Sequence, residues 1–116
     1  MSTIKVENIR IASEAASRPV TGVAAAYWNC ATTYTLGASL NISSMTDNGT
    51  GNYDVYFSNA FTSTSAIVAT YGVMSTVPKM YGGNAVSASQ IECRMFDSSG
   101  SSSDNNGTGN VQGDLA

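Results

Sequence analysis

The chain has no histidine and very little charge: Asp, Glu, Lys and Arg make up 11% of its 116 residues, against roughly 25% in ordinary soluble domains. Without an imidazole, the usual base for a serine nucleophile is missing. A serine–lysine pairing would have to use Lys5 or Lys79, and neither sits in a recognisable motif. Asp47, Asp54, Glu92 and Asp97 are the carboxylates that could work in pairs, as glycosidases require, but their spacing suggests no pairing. We therefore expect no catalysis and no cofactor.

Other absences narrow the partners. The five cations, Lys5, Arg10, Arg18, Lys79 and Arg94, are scattered rather than striped, and the net charge is −3, so nucleic acid is not an expected partner. No window approaches the roughly 18 apolar residues of a membrane helix, and no membrane contact is expected. Ser2 to Arg18 lacks the apolar centre of a signal peptide, so Cys30 and Cys93 are expected to be reduced. They read as small buried apolar residues, with a disulfide as the alternative. Two thiols without histidine fall short of a zinc site.

What the chain does have is β-strand patterning punctuated by turns. Ile4 and Val6 alternate, the pattern slips near Asn8, and it resumes at Ile9 and Ile11. Pro19 and Gly22 then close a connector. This divides the chain into an N-terminal arm with its connector, residues 1–22, and a body, residues 23–116. In the body, "VAAAYWNCATTYTL" is one β-favouring run. "SLNISSM" puts Leu40 and Ile42 on one face, "NYDVYF" groups Tyr53, Val55 and Phe57, and "QIECRMF" groups Ile91, Cys93 and Met95. "SAIVATYGVM" reads as a strand buried on both faces, and "NVQGDLA" as a last short strand with Val111 and Leu115 on one side. Short strands with frequent turns predict an all-β fold, a small antiparallel sandwich or barrel-like module.

The sharpest local signal is Asp47-Asn48-Gly49-Thr50-Gly51-Asn52. Asn-Gly tolerates the positive φ of a tight hairpin turn, and Gly51 adds a second permissive position. The arms should then pair, with Leu40 and Ile42 on the face of Tyr53, Val55 and Phe57. Neither a phosphate loop nor a calcium loop fits, for want of Lys-Ser/Thr and of alternating acids respectively. Asn106 to Asn110 reads as the same turn reused, inside an exposed loop from Ser98 to Asn110. Trp28, Tyr34, Tyr81 and Asn84 are the candidates for contacting a sugar, by ring stacking and amide hydrogen bonds.

The segment Thr46-Asp47-Asn48-Gly49-Thr50-Gly51, followed by Tyr53, Val55 and Phe57, with Trp28 upstream, resembles a segment of tail-fibre-like and other virion structural proteins of bacteriophages, cyanophages especially. The opening "MSTIKVENI" and the closing "GDLA" are similar too. The chain differs in its Ala-rich "VAAAYWNC" and in having no coiled-coil or β-helical shaft, which favours a compact knob, collar or capsid ornament over a long fibre. The resemblance implies a non-enzymatic virion surface protein, homotrimeric and assembled in the host cytoplasm, whose partners are its own copies and other capsid or tail proteins. Residues Ile4, Val6, Ile9 and Ile11 would anchor it by adding a strand to a neighbour's sheet. The alternative is a receptor-recognition module for host surface glycan.

Overall fold

The structure, a computed structural model, describes residues 8–9, 18–19, 24–73 and 75–116. Among the described residues ten strands follow in order: β1 (Asn8–Ile9), β2 (Arg18–Pro19), β3 (Ala26–Cys30), β4 (Leu36–Leu40), β5 (Ile42–Gly49), β6 (Asn52–Phe57), β7 (Val68–Val73), β8 (Met80–Ser87), β9 (Gln90–Phe96) and β10 (Gly107–Gln112). Strands β1 and β2 pair with each other, Asn8 opposite Pro19 and Ile9 opposite Arg18. Pro19 thus sits in a short two-stranded ladder rather than merely ending regular structure, a place where a missing N–H is tolerated. The remainder of the arm expected over residues 1–22 lies outside the described residues.

The body is an all-β sandwich of two antiparallel four-stranded sheets, ordered β4-β3-β10-β7 and β5-β6-β9-β8. Strands β4 and β5 meet along one side of the stack, and β7 and β8 along the other. Between the sheets lies one core. Ala26, Trp28, Cys30 and Val111 come from the first sheet; Tyr53, Val55, Phe57, Ile91, Cys93 and Met95 come from the second. The alternations read in "NYDVYF" and "QIECRMF" are those seen, buried at every second residue.

Three expectations about strands are corrected. The run from Val23 to Leu36 is not continuous: it breaks after Cys30, because Tyr34 adopts φ +53° and its N–H donates to the Ala31 carbonyl at 2.9 Å. "SLNISSM" is likewise two strands in different sheets. Asn41, at φ +56°, is the corner between them, a conformation that asparagine tolerates better than most residues. Its Oδ1 accepts from the Asn59 backbone N–H at 2.8 Å and from the Asn59 side chain at 3.1 Å, while its Nδ2 donates to the Asn59 carbonyl at 3.2 Å. Leu40 is therefore exposed on the first sheet instead of sharing a face with Tyr53. Finally, "SAIVATYGVM" is not buried on both faces; β7 is an edge strand, with Val68 60% exposed.

The hairpin is present, but its apex is displaced. Ile42 opposes Phe57, Met45 opposes Val55 and Gly49 opposes Asn52, with a bulge between Asp47 and Gly49. Positive φ falls on Gly49 (+113°) and Gly51 (+66°), not on Asn48. The Gly49 N–H is held by Asp47 Oδ1 at 2.8 Å. A Cβ on Gly49 would meet nothing within 4 Å, so a substitution there tests backbone strain alone. Gly49→Val is expected to lower stability by about 1–3 kcal/mol, read as a shift in the denaturant midpoint at constant m-value. An unchanged midpoint would show that the turn does not hold this residue left-handed.

Candidate functional site

The C-terminal segment differs most from its expected role. Gly107–Gln112 is no exposed turn. It is β10, an interior strand of the first sheet paired with β3 on one side and β7 on the other. Its glycines are the reason. A Cβ on Gly109 would overlap the Trp28 ring, and one on Gly107 would overlap the end of Met95. The glycines make room for large side chains from the strand beside them and the sheet opposite. Upstream, Ser98 to Asn106 is also tied down. Asp97 Oδ1 accepts from the N–H groups of Ser99 (2.9 Å) and Ser101 (3.0 Å) and from the Ser99 hydroxyl (2.6 Å). These donors hold the Asp97 carboxyl below its ordinary pKa. Leu115 is half-exposed and forms a bridge with Phe61; it extends no strand beside Val111.

Asp104 joins three parts of the chain. Its Oδ1 accepts from the Tyr34 hydroxyl at 2.8 Å and from the Gly51 N–H at 2.7 Å. The left-handed turn at Tyr34, the hairpin apex and the segment leading into β10 thus converge on one carboxylate oxygen. Tyr34 also stacks on Tyr53 with centroids 4.4 Å apart. Trp28 donates from Nε1 to the Tyr53 hydroxyl at 3.3 Å and meets Tyr71 edge-on. Tyr71 in turn packs on Tyr81 at 4.9 Å. Burial, reinforced by Asp104, raises the pKa of Tyr34; burial first, then the neighbouring thiols, raises that of Tyr81. Cys30 and Cys93 are both free and buried in this cluster. Burial pushes the Cys93 thiol up to about 12 and also raises Cys30, against a hydrogen bond from the Gly107 backbone that lowers it. The Tyr81 hydroxyl lies beside Cys93, yet no group in reach has hydrogen-bond geometry to it.

The residues expected to contact sugar are therefore dispersed. Trp28 and Tyr34 are buried, and Tyr81 turns its ring into the same interior. Asn84 opposes Glu92 on the outer face of the second sheet. The structure does not bring the four onto one exposed surface. Of the expected anchoring residues, only Ile9 falls within the described residues, as backbone in β1; Ile4, Val6 and Ile11 lie outside them. Among the described residues, no three of His, Cys, Asp and Glu gather as metal ligands, and no helix is long and apolar enough to cross a membrane.

The two outer sheet faces differ in chemistry. On the second sheet, Asp54 lies opposite Glu92 and Asn52 opposite Arg94, with a 2.6 Å ion pair between Arg94 and Glu92. On the first sheet, the registers set Leu40, Tyr27, Asn110 and Thr70 in one row across the four strands. Asn29, Thr108 and Gly72 form a parallel row. Between them runs a groove of about 520 Å³ whose lining contains no Asp, Glu, Lys or Arg. Tyr27 stands 41% exposed at this groove. Tyr27 was not among the residues expected to contact sugar. The signal was the strand alternation of "AYWNC", which sends Tyr27 and Asn29 to the face opposite Trp28.

Compared with protein-family models, curated proteins and solved structures, the chain matches none of them.

Proposed function

We propose that the chain is a non-enzymatic virion surface protein, a short fibre or capsid-decoration component whose β body assembles with copies of itself, as a trimer. Support comes from the Thr46–Phe57 resemblance and, on the molecule, from apolar side chains exposed along one edge of the sandwich. Tyr27, Leu40, Val68, Val77, Met80, Val86 and Leu115 are the exposed large apolar residues of the described chain. Val68, Val77, Met80 and Val86 all belong to β7, β8 and the loop joining them. Both strands are sheet edges, which offer unpaired backbone groups as well. An apolar edge of this kind is stabilised when a copy covers it. Residues 1–22, with Ile4, Val6, Ile9 and Ile11, supply the tether to capsid or tail proteins, and assembly takes place in the host cytoplasm.

Light scattering of the purified protein is expected to give the mass of a trimer. Val68→Lys with Val86→Lys, both at exposed positions, should return it to a monomer with its β circular-dichroism spectrum intact. Deletion of residues 2–11 should leave the body folded but abolish incorporation into particles. A monomeric wild type, or normal incorporation of the deletion variant, would overturn the assembly and the anchoring parts respectively.

A further inference from the structure

We propose that the groove on the outer face of the first sheet, between Tyr27, Asn29 and Asn110, binds an uncharged saccharide. The proposal does not depend on the virion reading and uses, of the β7–β8 side, only Thr70, Tyr71 and Gly72 at the groove's far wall. Its size, about 520 Å³, lies within the roughly 300–1,000 Å³ of small-ligand clefts. Gly72 and Ala38 are the small residues that deepen it.

The polar groups at the groove are free to serve a ligand. The Asn29 and Asn110 amides make no hydrogen bond within the described chain, and both are exposed. The Thr70 and Thr108 hydroxyls make only long bonds, 3.5 Å to the Asn110 carbonyl and 3.4 Å to the Gly72 carbonyl, lengths at which little energy is lost on exchange. Two amides and two hydroxyls supply both donors and acceptors. They surround one half-exposed phenol ring, a flat apolar surface with a polar tip. That set matches a sugar ring, which has an apolar C–H face edged by hydroxyls that both donate and accept.

Charge selects the class of sugar. The ionised side chains on the sheet faces sit on the opposite side of the sandwich, at Asp54, Glu92 and Arg94. A groove with no cation gives an acidic sugar no counter-charge for its carboxylate or sulfate, whose desolvation would then go uncompensated. A neutral oligosaccharide carries no such penalty. A second copy of the chain is the competing occupant; of the groove's lining residues only Tyr27 is an exposed large apolar side chain, too little apolar surface for it.

The test is an amide NMR titration of the full chain with short neutral gluco-, manno- and galacto-oligosaccharides, and with an oligogalacturonate as the acidic arm. At least one neutral sugar is expected to shift the amides of Tyr27, Asn29, Thr108 and Asn110, with affinity in the weak range usual for an open cleft. Tyr27→Ala, at an exposed position, should weaken that binding by about tenfold or more, and Asn110→Ala should weaken it too. Tyr56→Ala on the other sheet should not. Absence of shifts with every neutral sugar overturns the proposal. So do shifts that survive Tyr27→Ala, binding only to the acidic arm, or concentration-dependent broadening of these same amides without any sugar, which would mark a second copy.

Discussion

Replacing Gly109 by valine should lower stability by on the order of 3 kcal/mol, the upper end of what overpacking a core usually does. Gly109 lies in the interior strand β10, opposite Trp28 on one side and Tyr71 on the other. A Cβ there would stand 2.6 Å from Trp28 Cε2 and closer still to two further ring carbons. The ring has nowhere to retreat. It is 1% exposed, its Nε1 is bound to the Tyr53 hydroxyl and its face meets Tyr71 edge-on. Moving β10 instead would strain two ladders of hydrogen bonds at once. For a domain of this size the melting temperature should fall by roughly 12 °C. Gly82→Ala is the control, since Gly82 is also a strand glycine but a Cβ there meets nothing within 4 Å; it should be neutral or slightly stabilising. In the Gly109→Ala background, Trp28→Phe should recover part of the loss, because the two residues share one space and their effects are not additive. Melting of Gly109→Val within about 2 °C of wild type, where surface substitutions fall, would show that the ring does not rest on this strand.

The same glycine marks where the sequence was legible and where it misled. Alternation in "NYDVYF" and "QIECRMF" placed Tyr53, Val55, Ile91, Cys93 and Met95 correctly, because period-two patterning depends only on which face is buried. The hairpin at Gly49 was legible for a local reason: its turn residues carry their own φ preference. "NNGTGN" carries the same local signal and folds as the start of a central strand, because there the glycines answer to Trp28 and Met95, far away in sequence. Local chemistry cannot tell a glycine that bends from a glycine that makes room. The turns at Tyr34 and Asn41 failed in the opposite sense. Neither has a glycine, and each is held left-handed by partners seen only after folding, Asp104 and Tyr53 for the first and Asn59 for the second. Tyr27 and Trp28 are neighbours on opposite faces of β3. The alternation of "AYWNC" turns the tryptophan inward and the tyrosine beside it outward, a distinction the ring types alone do not carry.

The buried thiols and phenols make alkaline pH the second large lever. Cys93, pushed up to about 12 by burial, stays neutral in the folded chain at pH values where an unfolded cysteine, near 8.5–9, has already ionised. A folded pKa above the unfolded one means that the unfolded state binds fewer protons through that window, so stability falls as pH rises. The contribution of Cys93 is fully present below about pH 9 and is lost progressively up to about 12, where the difference reaches on the order of 4 kcal/mol. Cys30 shifts in the same direction. Above about pH 10, the ordinary tyrosine value, Tyr34, Tyr71 and Tyr81 add to the loss, since burial raises all three. Against a total of about 5–15 kcal/mol for a small domain, this is a large fraction of the stability of the body. Denaturant midpoints measured from pH 7 to 11 should be flat below about pH 8 and then fall steeply. Cys93→Ala removes one titrating group and should carry the steep part of the fall upward, toward the tyrosine range, at the expense of some stability at neutral pH. A midpoint that stays level to pH 11 would mean that water reaches these side chains and that the space between the sheets is not the dry core its packing describes.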